Sequence, residues 1–127
     1  MEKAKSFDAY FSDKKVSSEK LARMQLVRGI VHDLYPDVQE RVSYAMPGFY
    51  PKGATKATQM LFFVMANKNW LGLYGFDGLT PEDLPYPLAM GKGSVQVPYD
   101  FEEEKLRKLL QFCMAYNFER HGLELVH

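Results

Sequence analysis

The stretch that decides the fold runs from Arg41 to Tyr50 and reads RVSYAMPGFY. It begins with alternation. Val42, Tyr44 and Met46 fall on one side, and Arg41, Ser43 and Ala45 on the other. That period-2 pattern describes a strand with two unlike faces. Pro47-Gly48 then breaks the pattern, because proline lacks the N–H that a central strand donates. Phe49 and Tyr50 follow, and Pro51-Lys52-Gly53 is a second breaker. The stretch reads as a strand ending in a bend that carries aromatic residues. Binding sites favour such bends, and so do hydrophobic plugs.

Upstream, Met1 to Lys5 reads as a loose start. Ser6 can cap a short helix in which Phe7, Tyr10 and Phe11 form one apolar stripe, a lid over the core. Asp13-Lys14-Lys15 ends it. A second helix has Ser17 or Ser18 as N-cap and Glu19 at its positive end. Leu21, Met24, Val27, Val31 and Leu34 make its stripe, widened by Ala22, Leu26 and Ile30, and Pro36 stops it near Tyr35. Gly29 interrupts this pattern at about 1 kcal/mol relative to alanine, which suggests close packing against a sheet.

Downstream, 52–58 is a polar loop. Gln59 to Ala66, QMLFFVMA, is an apolar run of the kind buried on both faces of a sheet. Asn67-Lys68-Asn69 supplies a hairpin turn. Trp70 to Phe76 returns as the next strand, where Gly72 and Gly75 suggest a bulge or a close backbone approach. From Asp77 to Lys92 the prolines 81, 85 and 87 forbid long regular elements. Thr80 and Pro81 can still open one short helical turn. After the tight turn Gly91-Lys92-Gly93, Ser94 to Tyr99 alternates as a strand that Pro98 makes an edge or terminating one. Asp100 with Glu103 reads as a capping box for a last helix. That helix carries Leu106, Leu109, Leu110, Cys113 and Asn117 on one face, and Gly122 is placed to end it. The order α-α-β-β-β-β-α with short connections predicts an α+β domain, an antiparallel sheet of about four to six strands packed against helices.

A chain of 127 residues with 46% hydrophobic and 14% aromatic residues suits one packed domain. Lys plus Arg equals Asp plus Glu at 16 each, so the basic excess of a general nucleic-acid binder is absent and no nucleic-acid partner is expected. The single cysteine cannot form an intrachain disulfide, which suits a reducing, cytoplasmic setting. The N-terminus is too polar for a signal peptide, and no apolar run reaches bilayer length. A monomer or weak homodimer is expected.

The run ERVSYAMPGFYPKG, then FFVMANKNWLGLYGF, then GKGSVQVPYD before a closing helix, resembles the YdhG-like family of domains of unknown function. The matching positions are Glu40, Ser43, Tyr44, Met46, Pro47, Phe49, Gly91, Lys92 and Gly93. The chain departs from the family pattern at Ala45, where glycine is usual, at Gly48, and near Pro85-Tyr86-Pro87. Some members are described as frataxin-like intracellular iron chaperones. The resemblance therefore implies a frataxin-like α/β sandwich, Fe²⁺ as ligand, and iron or iron–sulfur assembly proteins as partners.

Iron needs hard oxygen or imidazole ligands that converge. His32, Asp33, Asp37 and Glu40 are the best cluster in sequence, and a solvated helix end is the alternative reading. Glu102, Glu103 and Glu104 spread around a helix start and favour its dipole. Asp77, Glu82 and Asp83 flank a loop as weak ligands. Glu124 and His127 match a di-iron spacing, but the second helix such a site requires is missing. Gly91-Lys92-Gly93 lacks the spacing of a phosphate loop. Cys113 sits on an apolar stripe, away from the electropositive setting a nucleophilic thiol needs. No catalytic set is visible. Tyr44, Phe49, Tyr50, Trp70, Tyr74, Tyr86 and Tyr99 read either as packing or as an aromatic surface. In the second reading, Tyr44, Met46, Pro47, Phe49, Trp70 and Lys92 bind a small ligand or a protein.

Overall fold

The structure, a computed structural model, describes residues 6–121. The loose start at Met1–Lys5, Gly122 as helix terminator and the Glu124–His127 spacing lie outside the described residues. Three helices and six strands follow in the order α1 (Phe7–Tyr10), α2 (Ser18–Leu34), β1 (Gln39–Ser43), β2 (Met46–Tyr50), β3 (Phe62–Ala66), β4 (Leu71–Tyr74), β5 (Ala89–Gly91), β6 (Ser94–Val97) and α3 (Glu103–Arg120). All strand pairings are antiparallel, in the spatial order β1-β2-β3-β4-β6-β5. The α+β class and the order of helices and strands are those the sequence predicts.

The decisive stretch folds differently from its first reading. It is a complete hairpin. Ser43 pairs with Met46, and the turn is Tyr44-Ala45, not Pro47-Gly48. Pro47 sits inside β2, opposite Val42. In an antiparallel pair the residue next to the closing pair directs its N–H away from the partner strand. Pro47 therefore presents its missing donor towards β3, and that ladder begins only at Gly48 opposite Phe63. No bond is forfeited, and the strand tolerates its proline.

Antiparallel neighbours share a face, so the register sorts the side chains. Phe49, Phe62, Val64, Leu71, Leu73, Val95 and Val97 join the main core under the helices. α2 contributes Met24, Val27, Ile30 and Val31 to it, and α3 contributes Leu106, Leu109, Leu110, Cys113, Met114 and Phe118. Each large apolar side chain so buried contributes about 1.5–3 kcal/mol. α1 acts as the lid its stripe implies. Phe7 stacks on Phe11 at 4.9 Å and meets Phe49 edge-on at 5.5 Å. The N-caps of α1 and α2 are Ser6 and Ser17, whose hydroxyls accept from the N–H groups of Ala9 and Lys20.

Four further expectations need correction. Gly29 is exposed, with open space where a side chain would stand, so it packs against nothing. α3 is capped at Glu102 without a side-chain bond, and the Asp100–Glu103 box does not form. Trp70 precedes β4 and belongs to the 67–70 loop, which the Asn67 N–H to Trp70 carbonyl bond closes at 2.9 Å. The proline-rich segment hides β5, a short strand that takes the sheet edge beyond β6, so β6 lies between β4 and β5 and Pro98 terminates it without making it an edge. The short helical turn expected there does form, at Pro81–Asp83 with Thr80 as cap.

α3 is tied to the sheet by polar contacts as well. Asn117, fully buried, donates from Nδ2 to the carbonyls of Leu61 at 2.5 Å and Gly75 at 3.0 Å. Tyr116 and Arg120 donate to the Asp77 carbonyl, and His121 Nε2 donates to that of Met60.

Candidate functional site

Among the described residues no α-helix covers the second face of the sheet. Its elements are Gln39, Arg41 and Ser43 of β1, Met46, Gly48 and Tyr50 of β2, Phe63 of β3, Gly72 and Tyr74 of β4, and Ser94 and Gln96 of β6. A small second cluster forms there from Tyr50, Ala54 and Phe63, with Met46, Met60 and Tyr74 packed around it. Two glycines make the rings fit. A Cβ on Gly48 would lie 2.7 Å from the Phe63 ring, and one on Gly72 would strike the Tyr74 hydroxyl and Asn67. The bulge or close backbone approach expected at Gly72 is instead an approach of side chains. The approach is by a neighbouring tyrosine on the same strand.

The 51–60 loop covers one end of this face. Its Lys52 N–H donates to the Tyr35 hydroxyl at 2.7 Å, and Gln59 Oε1 accepts from the N–H groups of Thr55 and Lys56. The Tyr50 hydroxyl contacts both the Ala57 carbonyl and the Ser43 hydroxyl at 2.9 Å. A carbonyl can only accept, so Tyr50 donates to Ala57 and accepts from Ser43. Burial pushes the Tyr50 phenol above its ordinary pKa, against the opposing pull of Ser43 and Arg41. Arg41 lies over the Tyr50 ring at 5.0 Å and donates to Gln39 and to the Ala54 carbonyl. Among the described residues no carboxylate pairs with it.

The uncovered end carries the turn. Tyr44 has φ 55° and Ala45 has φ 58°, the left-handed pair that a two-residue hairpin turn demands. Asparagine and glycine accept that conformation readily, whereas other residues are strained in it by about 1–2 kcal/mol each. The Tyr10 hydroxyl holds the turn by donating to the Ala45 carbonyl at 3.0 Å. Tyr44 meets Phe63 edge-on at 5.8 Å yet stays 65% exposed, the one large hydrophobic side chain so exposed among the described residues. Beside the turn, Tyr10, Asp13, Val16, Met24, Met65 and Ala66 line a cleft of about 40 Å³ that opens to solvent. That is below the roughly 300–1,000 Å³ of ligand pockets.

The expected ligand residues separate. Tyr44 and Met46 share the open face, with Trp70 half-buried in the loop at the same end. Lys92 is exposed at the far end, in the β5–β6 turn. Pro47 is buried, and Phe49 is fully buried on the helix side, where its ring is core and not surface.

The expected metal residues separate too. His32 Nε2 lies 2.8 Å from Glu40, but both Glu40 oxygens accept from Arg28, at 2.7 and 2.8 Å. Arg28 also pairs with Asp8 at 2.7 Å and lies over the rings of Phe7 and Phe11. Burial pushes the Glu40 carboxyl up, and the bonds and charges of Arg28 and His32 outweigh it, leaving the group below its ordinary pKa. The same Glu40 bond raises Arg28 further above its already high value, against burial and with help from Asp8. Asp33 turns to Arg107 and Asp37 is exposed. Among the described residues no three His, Cys, Asp or Glu side chains are grouped to hold a metal ion. Glu102, Glu103 and Glu104 are exposed at the α3 start, and burial pushes the Cys113 thiol up to about 12. No helix among them is long and apolar enough to cross a membrane.

Arg28, Arg41 and Asn117 carry much of this geometry and were not singled out as site residues. Asn117 had a signal, a polar residue on an otherwise apolar helix face. The two arginines had none, since their partners come from other elements. No family model, curated protein or solved structure matches this chain, so the YdhG-like resemblance rests on the quoted residues alone.

Proposed function

We propose that this domain is a protein-binding module whose contact surface is the open sheet face, with Tyr44 as its anchor. The observation that carries the reading is the turn itself. A large aromatic ring is held in water on two strained, non-glycine residues, where Asn-Gly would relieve the strain and remove the ring. Backbone strain of this kind concentrates at functional positions. Aromatic anchors dominate the energetics of protein contacts. The adjoining cleft is too small to enclose an organic ligand, which favours a macromolecular partner over a small molecule.

The test is site-specific photocrosslinking in the protein's native cells. A benzoylphenylalanine in place of Tyr44 is compared with one in place of Gln111, which is exposed on α3. Discrete adducts from position 44 that are missing from position 111 are expected. Identical adduct patterns, or none from either position, would sink the proposal.

A second reading is iron binding in a frataxin-like sandwich, as the resemblance implies. Its supporting observation is the His32–Glu40 contact. The four expected ligands do not converge, and Fe²⁺ would have to displace the Arg28 guanidinium from Glu40. Anaerobic calorimetry with Fe²⁺, against Mg²⁺ and Zn²⁺, decides it. Saturable heat lost in Glu40→Gln supports iron, and flat heats end that reading.

A further inference from the structure

The formal charge of the chain is zero, but the charges are not evenly spread. Between Glu40 and Asp77 the sequence contains Arg41, Lys52, Lys56 and Lys68 and no Asp or Glu. The rest of the chain therefore holds all 16 acids against 12 cations. The acid-free segment runs from Arg41 in β1 through β4 with the loops between them, which is most of the open face.

Contacts within the fold tie the cations to that face. Arg41 lies in it, over Tyr50. Lys56 is exposed next to Ala57, whose carbonyl takes the Tyr50 hydroxyl. Lys68 is exposed next to Asn67, whose Nδ2 donates to the Tyr74 hydroxyl at 2.8 Å. Lys92 is exposed in the turn between Gly91 and Ser94, which pair on this face. Among the described residues, the strand positions on this face in β1 to β4 and β6 hold no carboxylate, and two carboxylates stand at its ends. Asp77 stands beside Gly93 at one end, and Asp13 joins the small cleft with Met65 at the other. Glu40 is on the opposite side, under Arg28. The face thus combines Tyr44 and half-buried Met46 and Tyr74 with a positive surround.

From this complementarity we infer that the partner is an acidic peptide segment that also presents apolar side chains. The inference rests on the binding-face reading above and specifies its ligand. Like-signed charge lining a face attracts the opposite sign and rejects the same sign. The apolar side chains answer Tyr44 and Met46, and flexible methionine packs against varied shapes. A single-stranded nucleic acid would also answer the charge, but it needs several open rings for its bases to stack on. Tyr50 and Phe63 are 0% and 3% exposed, so their rings are closed to a base. Tyr44 is the one exposed ring here among the described residues, and half-buried Tyr74 and Trp70 offer too little ring face to complete a stacking platform.

Fluorescence anisotropy on the full chain tests this. The probes are a labelled dodecapeptide alternating Glu or Asp with Leu or Phe, the same peptide with Ser for each acid, the same with Lys for each acid, and a single-stranded oligothymidylate. The acidic peptide is expected to bind saturably and to weaken as salt is raised. Lys56→Glu with Lys68→Glu is expected to weaken it about fivefold, as for a pair of rim charges. Tyr44→Ser is expected to weaken it about tenfold, with the thermal midpoint unchanged within a few degrees. Equal affinity for the serine or lysine peptide overturns the acidic partner but leaves the binding face standing. Tighter binding of the oligothymidylate overturns it in favour of nucleic acid. No saturation by any probe overturns the inference as well. The binding-face reading then stands or falls on the crosslinks from position 44.

Discussion

Replacing Ala45 with glycine tests both the hairpin and the strain argument, because two readings of the same residue predict opposite signs. In the structure Ala45 has φ 58°, its methyl is exposed, and its carbonyl accepts from Tyr10. Glycine removes a left-handed penalty of about 1–2 kcal/mol. It also frees the unfolded chain, at about 0.5–1 kcal/mol. No packing is lost, and the Tyr10 bond is to the backbone. Ala45→Gly should therefore stabilise the domain by about 0.5–1 kcal/mol, a rise of about 2–4 °C in midpoint for a domain of this size. Had Ala45 been a strand residue, as the alternation in RVSYAM suggests, glycine would instead cost about 0.5–1 kcal/mol. Urea unfolding with an unchanged m-value reads the difference. A loss of half a kcal/mol or more refutes the left-handed turn and the proposal built on it. Tyr44→Asn extends the test. It relieves the first left-handed residue and gives up an edge contact to Phe63 worth about 0.5–1.5 kcal/mol, so stability should hardly change. Binding through the face should be lost. Stability and binding then separate, which a core residue would not allow.

Three other perturbations address the rest of the molecule. Asn117→Leu leaves the Leu61 carbonyl without a donor, while Gly75 keeps Arg120, so a loss of about 1–3 kcal/mol in urea unfolding is expected. A variant as stable as the parent would show that this buried amide ties nothing. Glu40 has a folded pKa below its ordinary 4.5, so its contribution is present above that pH and is lost as pH falls through the depressed value. Glu40→Gln should be less stable at neutral pH and should lack that part of the acid limb. Parallel acid limbs for the two proteins would contradict the Arg28–Glu40 assignment. Cys113 is fully buried with its thiol pushed up to about 12, so a disulfide reagent at pH 8 should label it only as fast as the domain opens. Labelling within seconds in the absence of denaturant would contradict its burial.

Periodic signals were legible because burial imposes them directly. The α2 stripe and the α3 face reach the core at Met24, Val27, Val31, Leu106, Leu109, Leu110, Cys113 and Asn117. The unbroken burial from Leu61 to Val64 is what an apolar run without alternation implies. Contacts across the chain were not legible. Arg28 of α2 meets Glu40 of β1 only in the folded chain, and Asn117 reaches Leu61 over 56 positions. Spacing carries no such information. The hairpin is a different kind of failure. Pro47-Gly48 gave a strong turn signal at two residues that sit in a strand, and Tyr44-Ala45 gave none at the two that turn. A hairpin turn announces itself through Asn, Asp or Gly, and this one has none of them. The illegibility and the strain are therefore one fact. Local preference and the fold disagree at Tyr44-Ala45, and the fold prevails because the β1–β2 register, the Tyr10 bond and the Phe63 contact hold the turn from outside. Such disagreements concentrate where a protein keeps a residue for something other than stability. What the turn keeps is an aromatic ring in solvent, at the edge of a face whose described strand positions in β1 to β4 and β6 hold no carboxylate.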